Sequence, residues 1–279
     1  MSKMRPWPFA KGHGTLNDFV IVPDRQAQFD PTPQQVRWLC HRRAGVGGDG
    51  LLRVVPADSL PQWRDRGDLW FMDYRNADGS LAETCGNGLR VFVRYLLEEG
   101  WASGDRIEVV TRAGLRQAWV ESDGRLSVEM GQPQWSSEPV PVGSSGRLWS
   151  GRVVDVGNPH CVVRLDQPSS LARLDLTRPP RLPNDSFPNG GNLEFVVRLG
   201  PERIRLRVWE RGVGETRSCG SGAVAAAVDS LAGAGGEPGR RLVELPGGLL
   251  EVRLDRSGQA SLIGPALVQA RGEVAVPGD

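Results

Sequence analysis

One short motif occurs twice in this chain of 279 residues, and its repetition limits the possible folds more than any other feature. A cysteine followed by Gly-x-Gly and an apolar run is found in ETCGNGLR at residues 83–90 and in RSCGSGAV at residues 217–224. The two cysteines, Cys85 and Cys219, are 134 positions apart, close to half of the chain. Self-similarity at a fixed period indicates repeated structural units. The sequence therefore predicts two similar halves, each with a cysteine at the start of a buried helix.

Other polar positions extend this repeat. Asn76 and Glu210 are also 134 positions apart, and each ends a strand-like run nine residues before its cysteine. Earlier in each half the offset is 141 or 142, in the pairs Asn17 with Asn158 and Gly50 with Asn192. A few inserted residues account for the change in offset. We therefore predict a pseudo-twofold protein whose active site lies in the cleft between the two halves, with the cysteines facing each other.

The hydrophobic patterning indicates an α+β fold with many short strands. Three segments have helical patterns: one opened by Thr32 and Pro33, one at residues 86–100 and one at about 220–235. The third is apolar on nearly every side, which is typical of a helix buried in its own domain. We therefore predict that each half is a sheet or barrel wrapped around one central helix. The strand-like runs are 19–22, 51–55, 69–74, 106–110, 115–120, 126–130, 152–156, 161–165, 193–199, 204–210, 241–245, 249–254 and 260–263.

A segment rich in proline, glycine and serine lies in the middle of the chain, between Gly131 and Gly151. Such punctuation is typical of a linker, so we expect the domain boundary there. The predicted N-terminal half is residues 1–135, and the predicted C-terminal half is residues 136–265. Each of these halves contains one of the two repeated cysteines.

The composition argues against several classes of function. The formal net charge is +1 and no basic run contains interleaved aromatic residues, so neither nucleic acid nor a membrane is expected as a partner. The sequence has no secretory signal and no bilayer-spanning run, so we expect a cytoplasmic protein with reduced thiols. The four cysteines form no C-x-x-C pair, which argues against a metal site. The only lysines are Lys3 and Lys11, which argues against a lysine-bound pyridoxal phosphate.

The repeated cysteines suggest acid–base chemistry. A helix N-terminus exposes unsatisfied N–H groups and favours an anion, so a cysteine there is expected to have a pKa that falls toward neutrality. Two such ends could bind one carboxylate and present a sulfur to each face of the neighbouring carbon. One sulfur would remove a proton and the other would deliver one, while amide donors stabilise the developing charge. Such a stereoinversion requires no cofactor.

Other chemical features have simpler explanations. The G-x-G-x-x-G pattern at residues 45–50 opens a strand, whereas a dinucleotide-binding loop must open a helix. Cys40 and Cys161 lie in apolar runs and are expected in the core. His160 stands beside Asn158 in GNPH, and we retain it as a candidate supporting residue.

These motifs resemble those of the diaminopimelate epimerases, and the resemblance covers nearly the whole chain. It is carried by KGHGTLNDFV, RRAGVGGDG, YRNADGS, ETCGNGLRVFVRY, VDVGNPH, GGNLEF and WERGVGETRSCGSGAVAA. The resemblance implies an isomerase that interconverts LL- and meso-diaminopimelate without a cofactor, in lysine and peptidoglycan synthesis. It also implies a homodimer, and a last strand, from about residue 266 to 279, that returns to the first domain.

The resemblance further implies the roles of individual residues. Cys85 would be the base toward the LL substrate and Cys219 the acid, with His160 near the thiols. The carboxylate of the reacting centre would lie at the two helix ends, and its ligands would be Gly86, Asn87, Gly220 and Ser221. The remaining amino and carboxylate groups of the substrate would be bound by Asn17, Asn76, Asn158, Asn192, Glu210 and Arg211.

The sequence departs from the family pattern at Gly50, where many members have glutamine, and at Ser221, where threonine is usual. Three other functions remain open from the residues. The chain could be a racemase for proline or hydroxyproline, although Arg211 and Asn76 argue against it. It could also be a binding protein with inert cysteines, or a protein whose paired thiols have a redox role.

Overall fold

The structure is a computed structural model that describes residues 5–83, 85–232 and 238–278. Lys3, Thr84 of the first motif and residues 233–235 of the third predicted helix lie outside the described residues. The helices are α1 (Pro33–Cys40), α2 (Gly86–Glu98), α3 (Pro168–Ala172) and α4 (Gly220–Ala232). The strands are β1 (Arg5–Gly14), β2 (Asn17–Pro23), β3 (Gly50–Pro56), β4 (Trp70–Asn76), β5 (Arg106–Thr111), β6 (Gly114–Val120), β7 (Leu126–Gly131), β8 (Gln134–Ser144), β9 (Arg147–Asp155), β10 (Pro159–Leu165), β11 (Asn192–Arg198), β12 (Arg203–Glu210), β13 (Gly214–Thr216), β14 (Gly239–Leu245), β15 (Gly248–Leu254), β16 (Ala260–Gly264) and β17 (Leu267–Val276).

The described residues fall into two compact units, and the first consists of Met1–Val128 together with Pro265–Asp279. Its strands are ordered β17-β1-β2-β3-β4-β5-β6-β7. The pairs β2–β3 and β4–β5 are parallel and the others are antiparallel. Helix α2 packs against strands β1 to β4 and β17, and buries Phe92, Val93 and Leu96. The first unit is therefore a sheet around one central helix.

The second unit consists of Glu129–Gly264. Its strands are ordered β8-β9-β10-β11-β12-β14-β15-β16, with the short β13 beside β12. The pairs β10–β11 and β12–β14 are parallel. Helix α4 packs against strands on both sides of this order and is buried from Ala223 to Asp229. A helix enclosed in this way needs apolar residues on every face, which explains its composition.

The two units have the same strand order and the same positions of parallel pairs. Parallel neighbours require a crossover connection, and a helix lies in each one: α1 and α3 before β3 and β11, and α2 and α4 before β5 and β14. Strand β17, from the end of the chain, pairs with β1 as β8 pairs with β9. The predicted α+β fold with two similar halves is therefore confirmed by the topology.

The segment between Gly131 and Gly151 differs from the predicted linker. It forms β8 and the first residues of β9, which pair with each other. Its prolines are accommodated because β8 is the first strand in the order of its unit, and the pairing register shifts between Trp135 and Pro139. Proline is tolerated on edge strands and at bulges, so the proline-rich sequence was interpreted as a linker although it forms a strand.

The helix predictions were correct in position and incomplete in number. Helix α1 begins with Thr32 as its N-cap, in a capping box with Gln35, and Pro33 lies in its first turn. The five-residue α3 was not predicted, because one turn gives too little periodicity to detect. Among the described residues, no helix has the length and apolar character needed to cross a membrane.

Candidate active site

Helix α2 begins at Cys85. The residue is the N-cap, with extended backbone angles, and its sulfur accepts a hydrogen bond from the Gly88 N–H at 3.3 Å. A sulfur in this position takes the place of the usual serine or aspartate oxygen of a capping residue. Gly86 and Asn87 form the first turn, where N–H groups lack intrahelical partners. The local sequence therefore builds a thiol into an anion-binding helix end.

Two asparagines surround the Cys85 thiol. The side-chain oxygen of Asn17 lies 3.9 Å from the Cys85 sulfur and accepts a hydrogen bond from the Asn87 amide at 3.1 Å. The amide of Asn17 donates to the Asp49 carboxylate at 2.9 Å, which fixes the orientation of Asn17. The structure thus brings Asn17, Cys85 and Asn87 together, and they had been assigned on the resemblance alone.

Asn76 lies at the end of β4. Its oxygen accepts a hydrogen bond from the Tyr74 hydroxyl at 3.0 Å, and its amide donates to the Ser80 hydroxyl at 3.0 Å. Gly50 is its register partner on β3. A Cβ atom on Gly50 would lie 2.8 Å from Cε2 of Tyr74 and 2.9 Å from the Arg75 carbonyl oxygen. The Tyr74 ring therefore leaves no space for a side chain at Gly50, which gives the departure from the family pattern a steric reason.

Helix α4 begins at Gly220, directly after Cys219. The Cys219 sulfur accepts a hydrogen bond from the Gly222 N–H at 3.3 Å and lies 3.5 Å from the Ser221 hydroxyl oxygen. The backbone contact repeats that between Gly88 and Cys85, but Cys219 is 5% exposed whereas Cys85 is only partly buried. The two repeated motifs therefore form the same helix start.

Two carboxylates surround the Cys219 thiol. Burial raises the pKa of Cys219 well above its ordinary value, and the charges of Glu210 and Glu194 raise it further. The hydrogen bonds from Ser221 and Gly222 act in the opposite direction but are outweighed. The expectation that this pKa falls toward neutrality was therefore wrong, because a helix N-terminus does not compensate for burial beside two anions. The raised pKa favours the protonated thiol at Cys219 at neutral pH.

Glu210 ends β12 and contacts the Cys219 side chain through a hydrogen bond. Its carboxylate also accepts a hydrogen bond from the Thr216 hydroxyl. Desolvation raises the pKa of Glu210, while the hydrogen bonds from Thr216 and Cys219 lower it. Glu210 thus joins the group around Cys219.

His160 is fully buried and connects Asn158 to Glu194. Its Nδ1 lies 2.7 Å from a Glu194 carboxylate oxygen, and its Nε2 lies 3.1 Å from the Asn158 side-chain oxygen. Because that amide oxygen only accepts, Nε2 carries a proton. The buried imidazole is thus held between the Asn158 side chain and the Glu194 carboxylate.

Asn192 and Arg211 form a separate contact in the second unit. The Asn192 oxygen accepts the Arg211 backbone N–H at 2.9 Å, and the Asn192 amide lies 3.4 Å from the Pro159 carbonyl oxygen. The exposed guanidinium of Arg211 donates to the Asn189 carbonyl at 3.0 Å. The backbone contact thus fixes the Asn192 amide, while the arginine side chain remains open to solvent.

The sequence analysis did not identify Asp49, Glu194 and Thr216 of these groups, nor Arg90, which donates to the Asn87 side chain at 2.9 Å. All four lie inside the quoted motifs, and the available signal for Arg90 and Glu194 was a charge within an apolar run. A charge in such a run requires a buried partner. Within residues 5–83, 85–232 and 238–278, no group of three or more His, Cys, Asp and Glu is arranged to hold a metal ion.

Comparisons with known proteins identify close relatives. The family model described as diaminopimelate epimerase matches residues 9–136 and 152–268. A diaminopimelate epimerase of Corynebacterium glutamicum is 46% identical over 275 residues, which are 96% of this chain and 98% of that protein. One from Thermobifida fusca is 47% identical over 278 residues, which are 95% of this chain and 97% of that protein.

Solved structures share the fold at low sequence identity. A phenazine biosynthesis protein of the PhzF family from Bacillus anthracis is 14% identical, with a TM-score of 0.71 over 98% of this chain and 100% of that one. A hydroxyproline epimerase from Agrobacterium vitis is 15% identical, with a TM-score of 0.66 over 100% of this chain and 95% of that one. At this identity the likeness concerns the fold alone.

Proposed function

The chain belongs to the diaminopimelate epimerase family, and from that premise we propose that it interconverts LL- and meso-diaminopimelate by a two-base mechanism without a cofactor. The observation that carries the proposal is the pair of matched helix starts, in which a backbone N–H donates to the sulfur of Cys85 and to that of Cys219 at 3.3 Å. The same reaction would supply meso-diaminopimelate to lysine and peptidoglycan synthesis.

Cys85 removes the α-proton of the LL substrate, and Cys219 delivers a proton to the opposite face. The electron pair of the broken C–H bond passes into the carboxylate as an enediolate-like anion and returns to carbon when the Cys219 proton arrives. Cys219 suits the acid role because burial and its two carboxylate neighbours raise its pKa and keep the thiol protonated. In the reverse direction the two residues exchange roles.

The carboxylate next to the reacting carbon binds at the two helix ends. Its ligands are the first-turn groups of α2, Gly86 and Asn87, and of α4, Gly220 and Ser221. N–H groups at a helix N-terminus stabilise negative charge, and here that charge grows in the transition state. The helix starts therefore serve both the thiols and the substrate.

In this proposal polar side chains bind the rest of the substrate. Arg211 suits a distal carboxylate because a guanidinium can bind it with two hydrogen bonds, and Glu210 suits an ammonium group. Hydrogen bonds to both ends exclude amino acids that lack the second centre, since unpaired buried groups are costly. The remaining ligands in this proposal are Asn17, Asn76, Asn158 and Asn192, with His160 as a supporting residue.

The decisive experiment follows the α-proton in deuterated water. The purified chain is expected to incorporate deuterium from solvent into LL-diaminopimelate and to form the meso isomer without an added cofactor. Cys85→Ala should abolish conversion, and Cys40→Ala, which changes a buried cysteine of the core, should not. Conversion by Cys85→Ala at the wild-type rate would contradict the mechanism.

Two further assays separate the alternatives. Turnover of proline or hydroxyproline in place of diaminopimelate would indicate the related racemase activity. Calorimetric binding of diaminopimelate without turnover would indicate a binding protein. From the family we also propose a cytoplasmic homodimer, and light scattering of the purified chain tests its oligomeric state.

A further inference from the structure

Arg90 is a fully buried arginine on α2, five residues after Cys85. Its Nη2 donates one hydrogen bond, to the side-chain oxygen of Asn87 at 2.9 Å. Its Nε and Nη1 are buried and have no hydrogen-bond partner among the described residues. A guanidinium carries five N–H donors, so this one is unusually poor in partners. A charge buried in this way destabilises the fold unless another charge compensates it.

The surrounding residues make room for this guanidinium. A Cβ atom on Gly14 would lie 3.0 Å from Nη2 of Arg90 and 3.3 Å from the Asn87 carbonyl oxygen. A side chain at Gly14 would therefore press on the guanidinium. In α-helices, long side chains point back toward the N-terminus, which directs Arg90 toward the turn that begins at Cys85.

The charge that compensates Arg90 is that of the Cys85 sulfur. Burial lowers the pKa of Arg90 to about 10, so the guanidinium is still protonated at neutral pH, and the Cys85 thiolate acts to raise that pKa. Among the described residues, no other titratable group acts on it. Coupling between two titrating groups is mutual, so Arg90 favours the thiolate of Cys85 by the same free energy.

We propose that Arg90 is a positioning residue that holds Cys85 as a thiolate and orients the two asparagines beside it. The catalytic role of Arg90 rests on the proposed function. Its physical basis is the buried guanidinium, which has few hydrogen-bond partners.

Arg90 sets the direction of the hydrogen bonds that run from Arg90 through Asn87 to Asn17. A guanidinium only donates, so Arg90 donates to the side-chain oxygen of Asn87. The Asn87 amide in turn donates to the side-chain oxygen of Asn17. At the far end the Asp49 carboxylate accepts from the Asn17 amide, so the Asn17 oxygen faces the Asn87 amide and accepts from the Cys85 thiol at 3.9 Å. This last contact stabilises the thiol, so the buried charge of Arg90 is what favours the thiolate. Asp49 is itself paired with Arg42 at 2.7 Å, which offsets its charge. Both asparagines are therefore fixed from the two charged ends.

Four variants test the proposal through the protonation of Cys85. The pH dependence of Cys85 alkylation by iodoacetamide is followed by mass spectrometry of the peptide that contains it. Arg90→Met and Arg90→Gln should raise the midpoint by about 1 pH unit or more, whereas Arg90→Lys, which keeps a cation, should remain close to the wild type. Arg94→Met is the matched control, because Arg94 lies one turn further along α2 and binds the Ala266 carbonyl at 3.2 Å. It should leave the midpoint unchanged.

Turnover provides the second readout. For the LL substrate, kcat of Arg90→Met should fall by about 100-fold at neutral pH and recover in part as pH rises, since alkali restores the thiolate. A wild-type alkylation midpoint in both Arg90→Met and Arg90→Gln would overturn the proposal. The alkylation needs no substrate, so a shifted midpoint in a chain that does not turn over diaminopimelate would support the role of Arg90 and contradict only the proposed function.

If Arg90→Met and Arg90→Gln do not fold, a measurement on unsubstituted Arg90 tests the proposal. In protein labelled with nitrogen-15 arginine, the Arg90 Nε resonance should change as Cys85 titrates, and that change should be absent in Cys85→Ala. A resonance that is indifferent to Cys85 would overturn the proposal.

Discussion

The starts of α2 and α4 have the same backbone but different buried charges. In each, the N–H three residues after the cysteine donates to the sulfur at 3.3 Å, and glycines occupy the same positions. The side chains beneath them differ at three equivalent, fully buried pairs of positions. These pairs are Arg90 with Val224, Leu52 with Glu194, and Phe19 with His160.

The equivalence of these positions is visible in their contacts. A Cβ atom on Gly88 would lie 3.4 Å from a Leu52 methyl group, and one on Gly222 would lie 2.7 Å from a Glu194 carboxylate oxygen. A hydrocarbon in the first unit is thus replaced by an acid in the second. Conversely, Arg90 supplies a cation in the first unit where Val224 supplies only an uncharged isopropyl group.

This difference shows that the helix start alone does not decide the protonation of its cysteine. Both sulfurs receive the same backbone hydrogen bond, yet the neighbouring charges act in opposite directions. The guanidinium of Arg90 favours a thiolate at Cys85, and the carboxylates of Glu194 and Glu210 raise the pKa of Cys219. A duplicated scaffold with opposite buried charges therefore yields one base and one acid, as the proposed two-base mechanism requires.

The strongest test of this comparison removes each thiol in turn. Both Cys85→Ala and Cys219→Ala should lose at least about 1,000-fold in conversion, because each removes one of the two proposed proton carriers. Their partial reactions should differ. In Cys219→Ala, Cys85, whose thiolate Arg90 is proposed to favour, should still exchange the LL α-proton with deuterium from solvent. In Cys85→Ala, the remaining thiol is protonated and should exchange the meso α-proton more slowly.

Nuclear magnetic resonance of each substrate in deuterated water measures both exchange rates. Equal exchange in the two variants would show that the sulfurs are equivalent at rest and would contradict the comparison. Cys161→Ala is a suitable control, since Cys161 is buried in the second unit among apolar side chains.

A smaller effect is expected from Glu194→Gln, which removes a charge but keeps an oxygen near His160. The pKa of Cys219 should fall, because one of the two carboxylates that raise it is lost. We expect kcat to fall by about 10-fold, since Cys219 becomes a poorer proton reservoir and His160 loses its anionic partner. The carbon-13 shift of the Cys219 Cβ against pH measures the first effect.

The matched control is Glu251→Gln, which changes another buried glutamate of the second unit, one that is paired with Arg253 at 2.7 Å. It should leave the titration of Cys219 unchanged. If Glu194→Gln also left that titration unchanged, the buried acid would have no part in the difference between the helix starts.

The sequence predicted the shared features of the two units better than their differences. The spacing of Cys85 and Cys219 predicted the helices, because the motif and its apolar run are local. The role of Glu194 could not be predicted from the strand pattern LEFVV. Its partner His160 is 34 residues away, and the two side chains meet because strands β10 and β11 pair. Strand β17 likewise acquires its place by pairing with β1 from the other end of the chain. Neither long-range contact leaves a periodic signal.

The smallest expected effects concern another equivalent pair, Asn76 and Glu210, which end β4 and β12. Tyr74 donates a hydroxyl hydrogen bond to Asn76, and Thr216 donates one to Glu210. Tyr74→Phe and Thr216→Val each remove one such bond, worth about 1 kcal/mol, so KM should rise by about 5-fold in both. Their pH profiles should differ, because only one of the two residues titrates.

The hydrogen bond from Thr216 lowers the pKa of Glu210, against the desolvation that raises it. Without the hydroxyl, the pKa of Glu210 rises further, and the carboxylate that we propose as the ligand of the substrate ammonium becomes protonated at a higher pH. The acidic limb of kcat/KM should therefore move upward in Thr216→Val, whereas Tyr74→Phe should raise KM equally at every pH. If the acidic limb of kcat/KM did not move in Thr216→Val, Glu210 would have no part in substrate binding. The polar ends of β4 and β12 would then differ in function as well as in charge.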